Sequence, residues 1–310
     1  MRLVVFGGNG YVGQRVVASA LKMGVSVLSI SRTGAPDVNS KGMKVLSKVI
    51  SSAPNNANVQ WIKGDIFNPI EWNSHILSSD DGSTVDGAVS CIGAFGSNEF
   101  MEKINGDANC SAISESLKAN IPRFVFLSTV ENTLPNFVLS GYFNGKRRAE
   151  QALLDAYPDS GTVLRPSFIY GCRDIPGSSI SIPLGSVGKI LETAFTTIPG
   201  ASSIKSIPGL RAIAATPVSV ENVGLVAAAA AIIPKVLTTD VNHDIYQLSG
   251  ILNEDDITFK AKQLLSDSIY DLIATKIQNS SDSKISQTNK EEKEQVEDIS
   301  EVKQEKKEKV

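Results

Sequence analysis

Two residues one helical turn apart, Tyr142 and Lys146, carry the clearest chemistry in this chain of 310 residues. In the segment Tyr142-Phe-Asn-Gly-Lys146 the i, i+4 spacing puts a phenol and an ammonium on one helix face. A neighbouring cation favours the phenolate and lowers a tyrosine pKa from about 10. Such a phenol can give or take a proton near neutral pH. Ser128 and Thr129 stand fourteen and thirteen residues upstream, where an apolar run over 124–128 ends. Either hydroxyl could polarise a carbonyl. Gly145, inside the same helix, marks either a close backbone contact or a loose helix start. Other chemistries are poorly supplied. His75 and His243 are the only histidines, which argues against a His-dependent hydrolase triad and against a His-rich metal site. Cys91, Cys110 and Cys172 are odd in number, scattered and without metal-ligand spacing, as expected of reduced core thiols. No metal is expected.

A second constellation lies at the N-terminus, in MRLVVFGGNGYVGQ. The apolar run Leu3–Phe6 leads straight into Gly7, Gly10 and Gly13, and a helical pattern follows to about Met23. Strand, glycine turn and helix start in that order form a phosphate-binding corner, because backbone N–H groups at the helix start face the anion. Asn9, Tyr11 and Val12 fill the turn, and a bound dinucleotide is the expected ligand. The second strand ends in Ser31-Arg32, nineteen residues after Gly13. An acid here would take a ribose 2′-hydroxyl, whereas a guanidinium suits a 2′-phosphate, so NADP(H) is favoured over NAD(H). The plain alternative for Arg32 is a surface arginine at a strand end. Asp65-Ile66, after the third strand, could meet the adenine amine, or Asp65 could cap the next helix.

These residues require an alternating framework to position them. Strands are expected at 2–6, 25–31, 59–63, 87–91, 124–128 and 162–165, with helices at 12–23, 41–51, 105–119 and 142–156. That alternation predicts an α/β fold, a doubly wound parallel-sheet Rossmann domain over 1–166. Beyond Ser167 the pattern loosens around Pro183, Pro199, Pro208 and Pro217, through apolar stretches such as 187–198. We expect a small C-terminal substrate lobe and closing sheet elements over 167–278. The run VGLVAAAAAIIP at 223–234 is shorter than the roughly 18 residues of a membrane span and predicts a buried helix. From 279 to 310 the chain is dense in mixed charge and lacks aromatic residues, the composition of a disordered tail or a transient solvated helix. A net charge of −3 and the lack of a basic patch with interleaved aromatics argue against nucleic acid. The first strand begins at residue 2, so no presequence is expected ahead of the fold.

Taken together, GGNGYVG at 7–13, SR at 31–32, GDIF at 64–67, SCIG at 90–93, YFNGK at 142–146 and LRPSFIYG at 164–171 resemble the short-chain dehydrogenase/reductase superfamily. The likeness is to its atypical, extended-like members and covers about 1–250, with PVSVENVG at 217–224 resembling the late strand and helix. It implies that Gly7, Gly10, Gly13 and Arg32 bind the cofactor, with Asp65 at the adenine and Ile92 and Gly93 along the nicotinamide ribose. It further implies Tyr142 as general acid/base, Lys146 on the ribose hydroxyls, Ser128 or Thr129 orienting substrate, and Pro166 beside the nicotinamide. Ser167 departs from the glycine usual after Arg-Pro. The runs INGDANCSAI (104–113) and GYFNGKRRAE (141–150) also resemble plant mitochondrial and plastid NAD(P)-binding proteins. They are similar as well to the fungal reductase-like component of coenzyme Q synthesis and, more distantly, to the NADPH-binding accessory subunit of respiratory complex I. The expectation is an NAD(P)-dependent oxidoreductase acting on an apolar carbonyl, alcohol or quinone-related substrate. The alternative is a non-catalytic NADPH-binding accessory or assembly factor of a mitochondrial respiratory or ubiquinone-synthesis complex. By resemblance the location is the mitochondrion or plastid, with a protein complex at an organellar membrane as partner. The cytoplasm is the alternative.

Overall fold

A computed structural model describes residues 1–77, 84–130, 139–174, 181–183, 217–233 and 250–266. The apolar stretch at 187–198, Pro199, Pro208 and the charged tail at 279–310 lie outside the described residues. The central sheet is built from β1 (Arg2–Phe6), β2 (Ser26–Ser31), β3 (Val59–Lys63), β4 (Gly87–Ser90), β5 (Phe124–Leu127), β6 (Gly161–Arg165) and the late strand β11 (Gly250–Asn253). Its order is β11-β6-β5-β4-β1-β2-β3, and every pairing is parallel. Alternation along β1 feeds two cores. Leu3 and Val5 pack on one face, Val4 and Phe6 on the other. The strand order reverses beside β1, which pairs with β2 on one edge and β4 on the other, the switch point at which open α/β sheets form a binding crevice at the strands' C-terminal ends.

Helices α1 (Gly13–Lys22) and α2 (Lys41–Ser51) follow β1 and β2, and the short α3 (Asn73–Leu77) follows β3. The helix expected at 105–119 starts earlier and is broken. It comprises α4 (Asn98–Glu102), a π-helical turn at Lys103–Asp107 and α5 (Ala108–Lys118). Helix α6 (Ser140–Ala156) begins two residues before Tyr142. Two small pairings flank the sheet. Strands β7 (Ile169–Tyr170) and β10 (Val218–Ser219) run parallel, and β8 (Cys172–Asp174) runs antiparallel to β9 (Ser181–Pro183).

The alanine-rich run forms α7 (Val220–Ile232), capped by Ser219, whose Oγ accepts from Asn222 N at 3.1 Å. A helix apolar on all sides belongs inside. Here it packs beside α1 on one face of the sheet, with the Gly87 Cα against the Ala231 carbonyl. Helix α8 (Glu254–Ser266) follows β11 and shares that core through Ile257, Ala261 and Leu264. Much of the described chain beyond 167 therefore completes the Rossmann layers. Among the described residues no helix is long and apolar enough to cross a membrane.

Candidate active site

The glycine corner turns at Gly7, whose φ of 78° is left-handed and favours glycine. Gly7 N donates to Ile30 O at 2.8 Å and Gly10 N to Gly7 O at 3.0 Å, closing the turn on the end of β2. Gly13 lies so close to Gly7 that a Cβ there would overlap the Gly7 carbonyl oxygen and stand 2.7 Å from the Gly8 Cα. Val12, buried, precedes α1 without a side-chain cap, and the first turn of α1 carries no acid. Its opening N–H groups and the helix dipole thus suit an anion. Gln14 Nε2 donates to Asn9 O at 2.9 Å, and Asn9 Nδ2 donates to Thr33 Oγ1, tying the glycine loop to the turn after Ser31-Arg32. Ser31 Oγ donates to Gly34 O at 2.9 Å, whereas Arg32 is exposed and makes no ion pair among the described residues. The Tyr11 hydroxyl lies beside Gly171, linking this loop to the one after β7.

Asp65 does not cap the following short helix. Its Oδ1 accepts from Phe67 N at 3.0 Å, and its backbone is held by Glu71 and by Trp72 Nε1, while Ile66 is buried beneath. Asp65 is exposed just past the C-terminal end of β3, and Arg32 just past that of the neighbouring β2.

Across the switch point, the backbone of Gly7 stands against Cys91, where β4 has ended. The next residues, Ile92 and Gly93, are pinned by two buried asparagines. Asn105 Nδ2 donates to Ala94 O and Met101 O, each at 2.8 Å. Asn109 accepts from Ser90 Oγ at 2.6 Å and donates to Asn105 O at 2.9 Å and Ile92 O at 3.4 Å. Neither asparagine was singled out from sequence. The signal was their i, i+4 spacing within an otherwise apolar helix face.

Lys146 is buried, and its Nζ donates to Leu127 O at 2.7 Å and Ile92 O at 3.2 Å, bridging the ends of β5 and β4. Nζ also lies 4.7 Å from the Phe126 ring centroid and 5.9 Å from that of Tyr142. Burial draws the lysine down to about 7, with the Cys91 and Glu150 charges only partly opposing it. Burial also pushes Tyr142 up, while a hydrogen bond from the Thr129 side chain and the Arg147 charge pull it back only in part. Here the structure corrects the expectation that Lys146 lowers the phenol. The shared helix face brings the residues together, but the ammonium turns down to strand-end carbonyls and loses charge by desolvation.

Adjacent residues at the end of β5 separate by role. Thr129 meets the Tyr142 phenol, whereas Ser128 is buried and its hydroxyl faces the Glu150 carboxylate. Pro166 is buried after β6, and its carbonyl accepts from Val130 N at 3.2 Å, joining the loops after β5 and β6. Gly145 is explained by close approach, since a Cβ there would stand 2.8 Å from Gly106 N. Phe95 stacks on the Tyr142 ring, with centroids 5.0 Å apart and planes 12° apart. The structure therefore gathers Thr129, Tyr142, Lys146, Ile92, Gly93 and Pro166 around one end of the crevice and the glycine corner in its middle. Arg32 and Asp65 stand on the far strands, and Ser128 turns away inside. Among the described residues no group of three His, Cys, Asp or Glu could hold a metal ion.

A seven-stranded parallel sheet with a glycine corner at its switch point and a Tyr-x-x-x-Lys helix beside it defines an NAD(P)-binding Rossmann protein of short-chain dehydrogenase/reductase type. The 3-beta hydroxysteroid dehydrogenase/isomerase family matches residues 4–163, and the chain belongs to that family. An uncharacterized chloroplastic protein of Arabidopsis thaliana is 38% identical over 226 residues, covering 72% of this chain and 69% of its own. MIOREX complex component 2 of Saccharomyces cerevisiae is 39% identical over 69 residues, 22% of each chain. Among solved structures, a short-chain type dehydrogenase/reductase from Mycobacterium ulcerans shares the fold, with a TM-score of 0.54 at 15% identity, covering 83% of this chain and 90% of that one.

Proposed function

We propose that the protein is an NADP(H)-dependent oxidoreductase that reduces the carbonyl of an apolar, quinone-related small molecule, or oxidises the matching alcohol, in an organelle. The observation that carries this reading is the convergence of Thr129, Tyr142 and Lys146 on the end of the crevice adjoining the glycine corner. The uncapped, acid-free start of α1 suits the pyrophosphate, and exposed Arg32 suits a 2′-phosphate. A bound nicotinamide would supply or accept the hydride at the substrate carbon.

This chain's residues handle the proton. Burial keeps the Tyr142 phenol protonated at neutral pH, so in the reducing direction it starts as the acid and donates to the carbonyl oxygen. Thr129 holds the phenol in place. Lys146 fixes the ends of β4 and β5, and its protonated form keeps a third N–H for a ribose hydroxyl. Phe95 shields the phenol face from water.

The test is NADPH oxidation with a panel of benzoquinones, naphthoquinones and aliphatic ketones. We expect a turnover that falls at least about a hundredfold in Tyr142→Phe, within the usual range for a lost proton donor. Turnover equal to wild type in that variant would overturn the mechanism. Arg32→Glu should weaken NADPH binding by about tenfold or more while sparing NADH, as expected for a lost charge-assisted hydrogen bond.

A second reading is favoured by the yeast relative's name, which makes that protein a complex component. On this reading the cofactor stabilises the fold by mass action and serves assembly. Tight NADPH binding without turnover, together with co-fractionation with a large organellar complex, would select it. The chloroplastic relative supports an organellar setting under either reading.

A further inference from the structure

Arg147 follows the lysine of the Tyr-x-x-x-Lys segment, and its partly exposed side chain reaches back to the end of β5. Nη2 donates to the carbonyl oxygens of Thr129 and Val130, both at 2.8 Å, and Nη1 donates to Glu150 Oε1. Glu150 is buried and is also gripped in fork fashion by Arg165, through Nε at 3.0 Å and Nη2 at 2.5 Å. Arg165 is the last residue of β6, so this cage ties helix α6 to the ends of β5 and β6 at once. The loop carrying Thr129 is thus hung from Arg147 on one side and, through Val130 N, from Pro166 O on the other.

We infer that Arg147 is a positioning residue for the Tyr142 phenol: anchored on Glu150 and Arg165, it holds the Thr129 backbone so that the Thr129 hydroxyl meets the phenol. The inference rests on the reading of Tyr142 as the proton donor. Other charged groups surround the phenol but are directed elsewhere. On α6, Lys146 is bound to strand-end carbonyls and Arg148 pairs with Glu102 and Asp107. Just past the end of β4, half-buried Cys91 has its thiol held protonated by desolvation. On α4, Glu99 is exposed, and on the π turn Lys103 lies over Phe67. The Arg147 charge lowers the phenol, in the same sense as the Thr129 hydrogen bond it supports. Lysine at 147 would keep the charge but not the fork that spans two carbonyls and a carboxylate.

The experiment titrates the full chain labelled at the tyrosine ζ carbon with carbon-13, using Tyr142→Phe to identify the signal. In Arg147→Met the Tyr142 phenol should titrate at least about half a pH unit higher than in wild type, and Arg147→Lys should recover part of that shift. If Arg147→Met does not fold, Arg147→Gln is read in its place. With NADPH and the quinone panel, Arg147→Met should lower kcat about tenfold while the KM for NADPH stays within about twofold. A phenol that titrates alike in wild type and Arg147→Met, or a lysine variant indistinguishable from methionine, would overturn the assignment. The titration needs no substrate. A shifted phenol in a protein without turnover would refute the oxidoreductase reading while leaving the positioning role intact.

Discussion

Replacing Glu150 by glutamine tests the packing that supports the site. The Glu150 side chain is 5% exposed and faces Arg165 at 16% and Arg147 at 32%. Its carboxylate accepts from three guanidinium nitrogens, two of Arg165 at 3.0 and 2.5 Å and Nη1 of Arg147. Glutamine keeps one acceptor oxygen and turns an NH2 toward a guanidinium, so at least one hydrogen bond becomes a donor–donor contact. Two cations are also left without their anion. Breaking a buried ion pair at one partner costs about 3–5 kcal/mol. Solvent screening at the partly exposed Arg147 lowers that to about 2–4 kcal/mol. Over 310 residues, at about 2.1 cal/mol/K per residue, a loss of about 3 kcal/mol is a fall of about 5 °C in Tm. Urea unfolding at pH 7, followed by circular dichroism, measures it directly. The pH dependence supplies a second check. Burial alone would raise the Glu150 pKa, but the hydrogen bonds from Arg165 and Arg147 outweigh it and hold the carboxyl below its ordinary 4.5. The unfolded state therefore takes up the proton first as pH falls below about 4.5. The stabilisation is complete above that pH and lost as pH drops through the folded value. Wild type should lose stability over this acid window more steeply than Glu150→Gln. If the two unfold within about 0.5 kcal/mol at pH 7, the cage contributes no net stability and the reasoning fails.

Three further outcomes follow from other parts of the site. Lys146 is drawn from 10.5 to about 7 by burial, so from pH 7 upward the unfolded chain holds the extra proton and stability rises with pH. Above about 9 the buried Cys91 thiol, pushed up to about 12, works the other way. Without nucleotide, wild type should thus gain stability relative to Lys146→Met between pH 7 and 9; parallel profiles would contradict a buried, half-discharged lysine. Asn109→Ala removes the acceptor for Ser90 Oγ and the donors to Asn105 O and Ile92 O, and should cost about 2–3 kcal/mol in urea unfolding. Gly13→Ala sets a methyl against the Gly7 carbonyl and should weaken NADPH binding, read by fluorescence titration, by about tenfold or more.

The periodic parts of the fold were legible. Strands β1 and β3 and helix α2 stand at the expected bounds, and the alanine run is the buried helix its composition implies. Strand ends were less so, because backbone hydrogen bonding continues one residue past the last paired position, Cys91 N donating to Phe6 O at 2.9 Å and Ser128 N to Leu164 O at 2.8 Å. Strand β4 stops at Ser90 rather than Cys91, and β5 at Leu127 rather than Ser128. That displacement bears on the site. Successive residues near a strand end point to opposite sides. The choice between Ser128 and Thr129 therefore depends on register, which composition does not encode. The π turn was hidden because a helix with one extra residue per turn keeps its apolar face. The Arg147–Glu150–Arg165 cage was hidden for another reason. Arg147 and Glu150 are one turn apart on α6, but Arg165 reaches them only after β6 has paired with β5.

The same long-range logic governs the glycine corner. A strand–turn–helix motif places N–H groups correctly only if α1 is pressed onto the sheet, and Gly13 against Gly7 records that pressure. What presses is α7, more than two hundred residues away in sequence. Its Gly224 runs against Arg15, where a Cβ would stand 2.6 Å from the Arg15 Cβ and 2.8 Å from its carbonyl carbon. At the helix start, Val220 packs on Gly171, which also contacts the Tyr11 hydroxyl of the glycine loop. The phosphate corner is therefore assembled from both ends of the described chain. A nucleotide bound there stabilises the late helix along with the early one, because it binds only the state in which both are packed.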